Sequence, residues 1–380
     1  MPVHIDYLVL GLGGMGSSAL YHLARRGLNV LGVEQFGAAH DRGSSHGETR
    51  IIRKAYFEHP NYIPLLQRAY ELWYELEQSS GKRLFNPCGL MVAGPPEGEV
   101  IQGVHLAEQL YNVQVERISA TDARTRFPGF QIPEGFEVTF EPEAGFLHVE
   151  ECVQAHIDCA IAAGASVVLE EPVQSLDIGE QAIEVRTVSQ HWIAEGVIVT
   201  AGAWSSGCLQ ELNLPLEVVR KVLLWNPIQQ SVYNLEQGGG GFFFDMPDGQ
   251  FYGFPSLDGK TVKLAEHTGG ELVDDPNHLN RDLLELDSAP VSRFVREVMP
   301  ELNPMPDRHA VCMYTRTPDG HFIVDRHPRN QRLVYGAGFS GHGFKFASVM
   351  GEILADLVTT GATSHPVDFL KFDRFEQTGS

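Results

Sequence analysis

The sequence predicts an α/β fold in which a doubly wound, parallel-sheet domain is interleaved with a smaller domain built on an antiparallel sheet. Three observations predict it. Residues 5–34 read as strand, glycine turn, helix and strand. Residues 333–357 repeat a strand, a glycine-rich loop and a helix. Between residues 218 and 311, short strand-like segments recur instead. Strands that alternate with helices favour a parallel sheet, and strands in succession favour an antiparallel one.

The first unit begins with Ile5, Tyr7, Leu8, Val9 and Leu10, an apolar run of the kind a buried parallel strand needs. Gly11, Gly13 and Gly16 follow in G-x-G-x-x-G spacing, with Gly14 between them. The first glycine permits the tight turn, the second lets a pyrophosphate approach the backbone, and the third lets the helix sit close on the strand. Leu20, Leu23 and Ala24 fall at helical spacing, Gly27 stops the helix, and Val30, Leu31 and Val33 make the second strand. Glu34 ends that strand near the offset of about 20 residues at which a carboxylate accepts hydrogen bonds from an adenosine ribose. The pattern points to a dinucleotide without separating NAD from FAD. Its bland alternative is a tight turn in an ordinary α/β domain.

Residues 35–53 are polar and glycine-bearing and predict a loop leading into a helix that starts near Gly47. Arg50 and Arg53 would share one face of that helix. They form either a solvated basic face or, with Ser44, Ser45, His46 and Thr49, an anion or cofactor contact. Residues 62–78 carry Leu65, Leu66, Ala69, Leu72, Trp73 and Leu76 at helical spacing, an amphipathic helix. The pattern weakens over 85–143, where prolines and glycines are frequent and one short helix lies near 121–126. This stretch reads as part of a second domain inserted into the first. A helix over 148–164 turns Cys152, Val153, His156 and Ile157 inward. Cys152, His156 and Cys159 lie close on it, but the line is mostly apolar and small buried thiols are ordinary core residues, so no metal site is predicted.

Strands over 166–169 and 192–200 follow. The second ends in T-A-G-A-W, either a second approach to the dinucleotide or a plain turn. In the strands over 223–225, 250–255 and 261–267, Tyr252 and Phe254 share a face. Lys263 and His267 also share one, opposite Val262 and Leu264. Lys263 and His267 are either the solvent side of a strand or a functional pair aimed into a cavity. Strands over 322–324 and 333–335 then lead into a loop with Gly336, Gly338, Gly341 and Gly343, and into a helix carrying Phe346, Val349, Met350, Ile353 and Leu354. A glycine loop therefore feeds a helix N-terminus a second time, where free N–H groups and the dipole favour negative charge. A reduced flavin carries such charge near N1 and the C2 carbonyl. Lys345 stands at the junction and is placed to bind an anion.

The chain has 380 residues, enough for two or three domains. Its net charge of −21 argues against nucleic acid and anionic membranes as partners. Five cysteines without a C-x-x-C pair suit free thiols in a reducing cytoplasm better than a disulfide framework. The N-terminus enters a core strand without a charged leader, and no apolar run is long enough to span a bilayer. The expectation is a cytoplasmic protein acting on a small molecule, with no nucleic acid, no membrane and no obligate protein partner. No Ser/His/Asp or metal-ligand constellation is present to supply a strong base, which suits chemistry carried by a cofactor.

The glycine turn with Glu34, S-S-H-G-E-T-R-I-I-R, Y-G-F-P, K-L-A-E-H, C-M-Y-T-x-T-P-D and G-F-S-G-H-G-F-K-F together resemble the monomeric sarcosine oxidase and N-methyl-L-tryptophan oxidase family of FAD-dependent amine oxidases. These motifs run in the family's order from residue 7 to about residue 350. The resemblance implies a Rossmann-like FAD-binding domain (1–85, 144–217 and 310–380) interleaved with a smaller antiparallel-sheet, α+β substrate domain (86–143 and 218–309). It implies a monomeric oxidase of N-methyl amino acids that consumes O2 and releases formaldehyde and hydrogen peroxide. FAD would be held by Gly11, Gly13, Gly14, Gly16, Glu34, Thr49, Gly338, Gly341, Gly343 and Lys345. Cys312 matches the cysteine that forms a thioether to the flavin 8α-methyl; its bland reading is a buried free thiol. Lys263 matches the lysine that promotes reaction of the reduced flavin with oxygen, and Arg50 and His46 match basic residues near the flavin ring. Arg53 and Lys345 match the pair that holds the substrate carboxylate, and Tyr252 and His267 match substrate-pocket residues. Residues 86–143 and 226–249 cannot be matched securely, and specificity is expected to lie there. Other secondary amines of the pipecolate, proline or glycated amino acid kind are the nearest alternative substrates. A NAD-linked dehydrogenase is the more distant reading, disfavoured by the second glycine loop.

Overall fold

In the computed structural model the described residues are 1–180 and 182–378. The strand Val3–Leu10 lies inside an eight-stranded sheet, parallel to Val30–Val33 on one side and to His191–Val199 on the other. Ser166–Val168 runs parallel beyond Val30–Val33, and Leu333–Ala337 runs parallel to the end of His191–Val199. Both faces are covered at the C-terminal ends of these strands, which is why Leu8–Leu10, Val30–Val33 and 197–199 are buried without alternation, whereas the first halves of Val3–Leu10 and His191–Val199 carry exposed polar residues. Val9, Ile198 and Val334 face a layer made by the helices Gly14–Ala24, Ile63–Ser80, Val149–Ala162 and Ala347–Thr360. Leu8, Leu10, Val197 and Val199 pack on the other side.

The first and last of these helices cross at close range. A Cβ on Gly351 would lie 2.2 Å from Ser18 Oγ, so only glycine permits the approach. Ser18 Oγ donates to Ser348 O at 3.1 Å across the same crossing.

The second sheet has nine strands. Glu217–Pro227 is paired antiparallel with Arg308–Arg316 along nearly its whole length and with Thr261–Glu266 on its other edge. The order continues through Gly249–Gly253, Gly241–Met246, Leu90–Gly94, Glu137–Glu141 and Glu116–Ile118. All pairs are antiparallel except Gly241–Met246 with Leu90–Gly94. Val262 and Leu264 face the helix Glu285–Val298, while Tyr252, Phe254 and Ala265 face the other way in a separate cluster with Cys312. The alternation expected for 261–267 therefore holds, and the fold class is as predicted.

The helix expected to start near Gly47 is instead the strand Thr49–Ile52, paired with Gly145–His148 in a three-stranded sheet. Three of its four residues are β-branched, which suits a pleated surface better than a helix. The Glu150 carboxylate accepts from the Gly47 and Glu48 amides at 2.6 and 3.1 Å and turns the chain into that strand. Arg50 and Arg53 consequently share no helical face. Two long helices escaped the sequence reading, Glu99–Tyr111, with Gly103 inside it, and Glu285–Val298, with Pro290 inside it, as did the single turn Ser205–Cys208. Both breakers weaken the local signal. Among the described residues no helix is long and apolar enough to cross a membrane, and no cluster of His, Cys, Asp and Glu has a metal-holding arrangement.

Candidate active site

A cavity of about 1010 Å³ extends from Glu34, past residues 11–15 and the second glycine loop, to Tyr314 and Lys345. At its first end the glycine turn behaves as its spacing requires. Gly11 has φ +87°, and a Cβ on Gly16 would lie 1.8 Å from Gly11 O. A Cβ on Gly13 would meet only Ser45 Oγ at 3.7 Å within contact range, so this glycine presents bare backbone to the cavity. Ser45 Oγ accepts from the Gly14 amide at 3.1 Å. Glu34 is buried and accepts from Leu12 N at 2.8 Å and Phe36 N at 3.0 Å. A carboxylate has about four lone-pair sites, so these two bonds leave capacity for ribose hydroxyls. The T-A-G-A-W turn lines the same end, with Thr200 Oγ1 donating to Gly11 O at 2.8 Å.

The glycines of the second loop have packing reasons of their own. A Cβ on Gly338 would fall 2.4 Å from Thr317 Cγ2, one on Gly341 2.4 Å from the Tyr314 ring, and one on Gly343 2.5 Å from Phe339 Cβ. All three also line the cavity.

The far end of the cavity gathers two buried cations. Arg53 Nη1 donates to Ala55 O at 2.7 Å, and its guanidinium lies 3.9 Å from the Phe57 ring centroid and 4.5 Å from that of Tyr56. Lys345 Nζ lies 5.2 Å from the same Tyr56 centroid and donates to His342 O at 2.7 Å. Burial, reinforced by Arg53, lowers the Lys345 amine to about 7. Glu58 pairs with Arg53. Burial would raise its carboxyl, but Arg53, His342 and Lys345 outweigh that and hold it at about 2. Tyr252, His267, Tyr314 and Phe243 form the rest of the wall. Burial, with Lys221 adding to it, keeps His267 neutral, at about 3.

Four expected site residues sit around this end in different ways. Arg50 lines the cavity and is tied to Thr49 O and Ser44 O, each at 2.8 Å. His46 is buried with Nε2 unpartnered, and burial followed by Arg50 lowers it to about 3, so it is a neutral imidazole rather than a cation. Lys263 does not line the large cavity. Its Nζ reaches Gly47 O, Thr49 O and Thr49 Oγ1 at 2.5, 2.7 and 3.0 Å, and it borders a separate cavity of about 330 Å³ with Trp225 and Phe254. Burial presses its pKa well down, yet three acceptors around one nitrogen match the three donors of an ammonium group. His267 and Lys263 thus share a strand face but open on different cavities. Cys312 is fully buried in the cluster with Tyr252 and Phe254, while its neighbours Met313 and Tyr314 line the cavity. The nearby cations are Lys221, Lys263 and Arg281. Arg316 is half-buried and paired with Glu217, and His321 packs against His59 and Tyr62.

Sequence reasoning missed Glu58, Phe243, Tyr314 and His342 as cavity residues. Tyr314 and His342 lie inside two of the quoted motifs and were legible there. Phe243 lies in the unmatched 226–249 stretch. None of the residues 86–143 lines the cavity.

A flavin dinucleotide fits these residues. Gly13 offers an open backbone approach, Thr315 Oγ1 beside the cavity is buried without a partner, and the cavity joins an acid-ended adenosine site to a cation-rich far end.

Comparison with known proteins agrees. Residues 6–357 match the FAD-dependent oxidoreductase family. The chain is 39% identical over 379 residues to monomeric sarcosine oxidase of Bacillus sp. (strain B-0618), covering 98% of this chain and 97% of that one. It is 35% identical over 352 residues to N-methyl-L-tryptophan oxidase of Yersinia pestis (strain Pestoides F), covering 92% and 94%. The structure of L-proline dehydrogenase from P. horikoshii superposes with a TM-score of 0.85 at 21% identity, covering 100% and 99%, a likeness of fold alone.

Proposed function

This chain belongs to the FAD-dependent oxidoreductase family, within the group of monomeric sarcosine oxidases and N-methyl-L-tryptophan oxidases, and on that premise we propose that it is an oxidase of N-methyl amino acids. The observation that carries the proposal is the pair Arg53 and Lys345, two buried cations over one tyrosine ring at the cavity end remote from Glu34. Together they hold the substrate carboxylate and leave its amine facing the ring end of the cofactor. Their positive field lowers the pKa of that amine and favours the neutral form that can be oxidised. Tyr252, His267, Tyr314 and Phe243 enclose the N-methyl group and limit water.

When bound, FAD supplies the two-electron acceptor and passes the electrons to dioxygen. Glu34 and the 11–16 turn hold its adenosine and pyrophosphate. Gly338, Gly341, Gly343, Lys345 and Arg50, which line the cavity, would border its ring end; Thr49 and the neutral His46, assigned to the same end by resemblance, do not line that cavity. Lys263 is assigned to the oxygen side, where a buried ammonium stabilises the negative charge that develops as oxygen is reduced. Cys312 is assigned a thioether to the 8α-methyl. Such a bond would form with loss of the thiol hydrogen and one methyl hydrogen, the two electrons passing to dioxygen. The products are the demethylated amino acid, formaldehyde and hydrogen peroxide.

The same reading divides the chain into an FAD-binding unit (1–85, 144–217 and 310–380) and a substrate unit (86–143 and 218–309); the membership of the two large sheets supports the division except at Arg308–Arg316, which pairs with Glu217–Pro227 in the nine-stranded sheet. Five free cysteines support a reducing, cytoplasmic setting, and the relatives' name supports a monomer.

The test is peroxide and formaldehyde release in air from sarcosine, N-methyl-L-tryptophan, L-proline, pipecolate and a glycated amino acid. Turnover of an N-methyl amino acid well above the rest is expected. Peroxide from proline or a glycated amino acid alone would overturn the proposal.

A further inference from the structure

Glu141 ends the strand Glu137–Glu141 and is 3% exposed, yet no cation lies within ion-pair distance of it among the described residues. Lys54, its neighbour, sends Nζ to Glu143 instead. Both oxygens of Glu141 are used on backbone. Oε1 accepts from Lys54 N at 2.6 Å and Oε2 from Ala55 N at 2.9 Å. Ala55 is also the residue whose carbonyl accepts from Arg53 Nη1. A continuous path therefore runs from a carboxylate in one sheet, through one short turn, to the guanidinium in the cavity.

The turn is also held by the pairing of Arg53 with Glu58 and the contact of Tyr56 Oη with His342, but among the described residues Glu141 alone pins its amides at Lys54 and Ala55. Residues 53–59 form neither helix nor strand, and a Cβ on Gly103 would fall 2.5 Å from Phe57 Cα, so the helix Glu99–Tyr111 closes on the far side of the same turn. A buried carboxylate kept without a counter-ion is costly, and two amide donors aimed at it are what makes it tolerable.

We propose that Glu141 is a positioning residue for the substrate carboxylate: by pinning the Lys54 and Ala55 amides it fixes where the Arg53 guanidinium stands. The inference rests on Arg53 holding that carboxylate, as argued above. It extends to pH. The groups facing Glu141 are Arg53 and Lys54 from the turn and Tyr70 from the helix Ile63–Ser80, with Glu143 beyond Lys54. Burial raises the Glu141 carboxyl to about 7, against the pull of the two amides and of Arg53 and Lys54. A protonated carboxyl gives up one acceptor position, so the pin loosens as pH falls through that value.

The test compares E141Q and R53A with the unmutated holoenzyme. For E141Q the expected result is a KM for the N-methyl amino acid raised about tenfold, with kcat within about twofold and flavin content unchanged. A displacement near 1 Å costs up to about 100-fold. The unmutated enzyme is expected to lose kcat/KM below about pH 7 through Glu141, and E141Q is expected to lack that contribution. An E141Q enzyme with unaltered KM and the same acid limb overturns the role of Glu141, provided R53A raises KM. An R53A enzyme with unaltered KM overturns the carboxylate assignment itself. Should E141Q not fold, acetate titrated into the Lys345→Met holoenzyme, which lacks the opposing titration of Lys345, decides: affinity that weakens as pH falls from about 8 to about 6 supports the proposal, and flat affinity overturns it.

Discussion

Arg53 Nη2 reaches both carboxylate oxygens of Glu58, at 2.8 and 2.7 Å, so the cation assigned to the substrate already holds a carboxylate of the protein's own. An incoming carboxylate must share the guanidinium or displace Glu58. Arg53→Ala should weaken binding of an amine-free carboxylate by about 10- to 100-fold, the range of a charged hydrogen bond worth about 1.5–3 kcal/mol. Glu58→Gln removes the competitor and should tighten it. Titration of the bound flavin's absorbance with acetate measures both, and a Glu58→Gln enzyme that binds acetate more weakly would show that Glu58 supports the site rather than competing for it.

Lys345 gives the site an alkaline boundary. Its pKa is lowered to about 7, chiefly by burial, so in the free enzyme the ammonium is present below that value and lost above it. An anion binds the charged form, and carboxylate affinity should therefore fall as pH rises through about 7, by up to about tenfold per pH unit. Lys345→Met should bind weakly at every pH and lack this limb. A limb that persists in Lys345→Met belongs to another group.

Cys312 is expected to keep the cofactor attached. Acid-precipitated wild-type protein should stay yellow, and Cys312→Ala should release its flavin to the supernatant. Full release from the wild type would leave Cys312 as the buried thiol of an apolar cluster.

Phe243 packs against Phe57 at 5.2 Å and His267 at 6.2 Å between ring centroids and closes one wall of the cavity. Phe243→Ala should lower KM for N-methyl-L-tryptophan relative to sarcosine, because the space opened by a lost aromatic ring is apolar. Lost wall packing should cost stability of about 3 kcal/mol or less, below the range for a core Phe→Ala. An unchanged KM ratio would remove Phe243 from the specificity wall.

The fold was legible where the local pattern and the tertiary role agree. Gly11 is required by its positive φ and Gly16 by the approach of Gly11 O, while Leu20, Leu23 and Ala24 belong to one buried helix. The reading failed at Arg50 because a short strand takes its register from Gly145–His148, about a hundred residues away, and not from its own composition. It missed Glu141 and Glu58 because their partners are a backbone turn and a cation met only in three dimensions. It placed Lys263 on the correct strand face, but which cavity a face borders depends on a neighbouring strand, here Thr49–Ile52, that the pattern had assigned to a helix.

The crossing of the first and last helices at Ser18 and Gly351 has a consequence for how the protein is made. The first glycine turn is synthesised about 320 residues before the loop at 336–343 and the helix behind it. At about 5–20 residues per second the two are separated by on the order of 15 to 65 seconds. During that interval the strand His191–Val199 has no Leu333–Ala337 beside it, and the helix Gly14–Ala24 has no Ala347–Thr360 to bury its serine face. A chain that stops before residue 333 therefore lacks the second glycine loop, Lys345 and the helix behind them, and is expected to bind flavin more weakly than a chain that carries them.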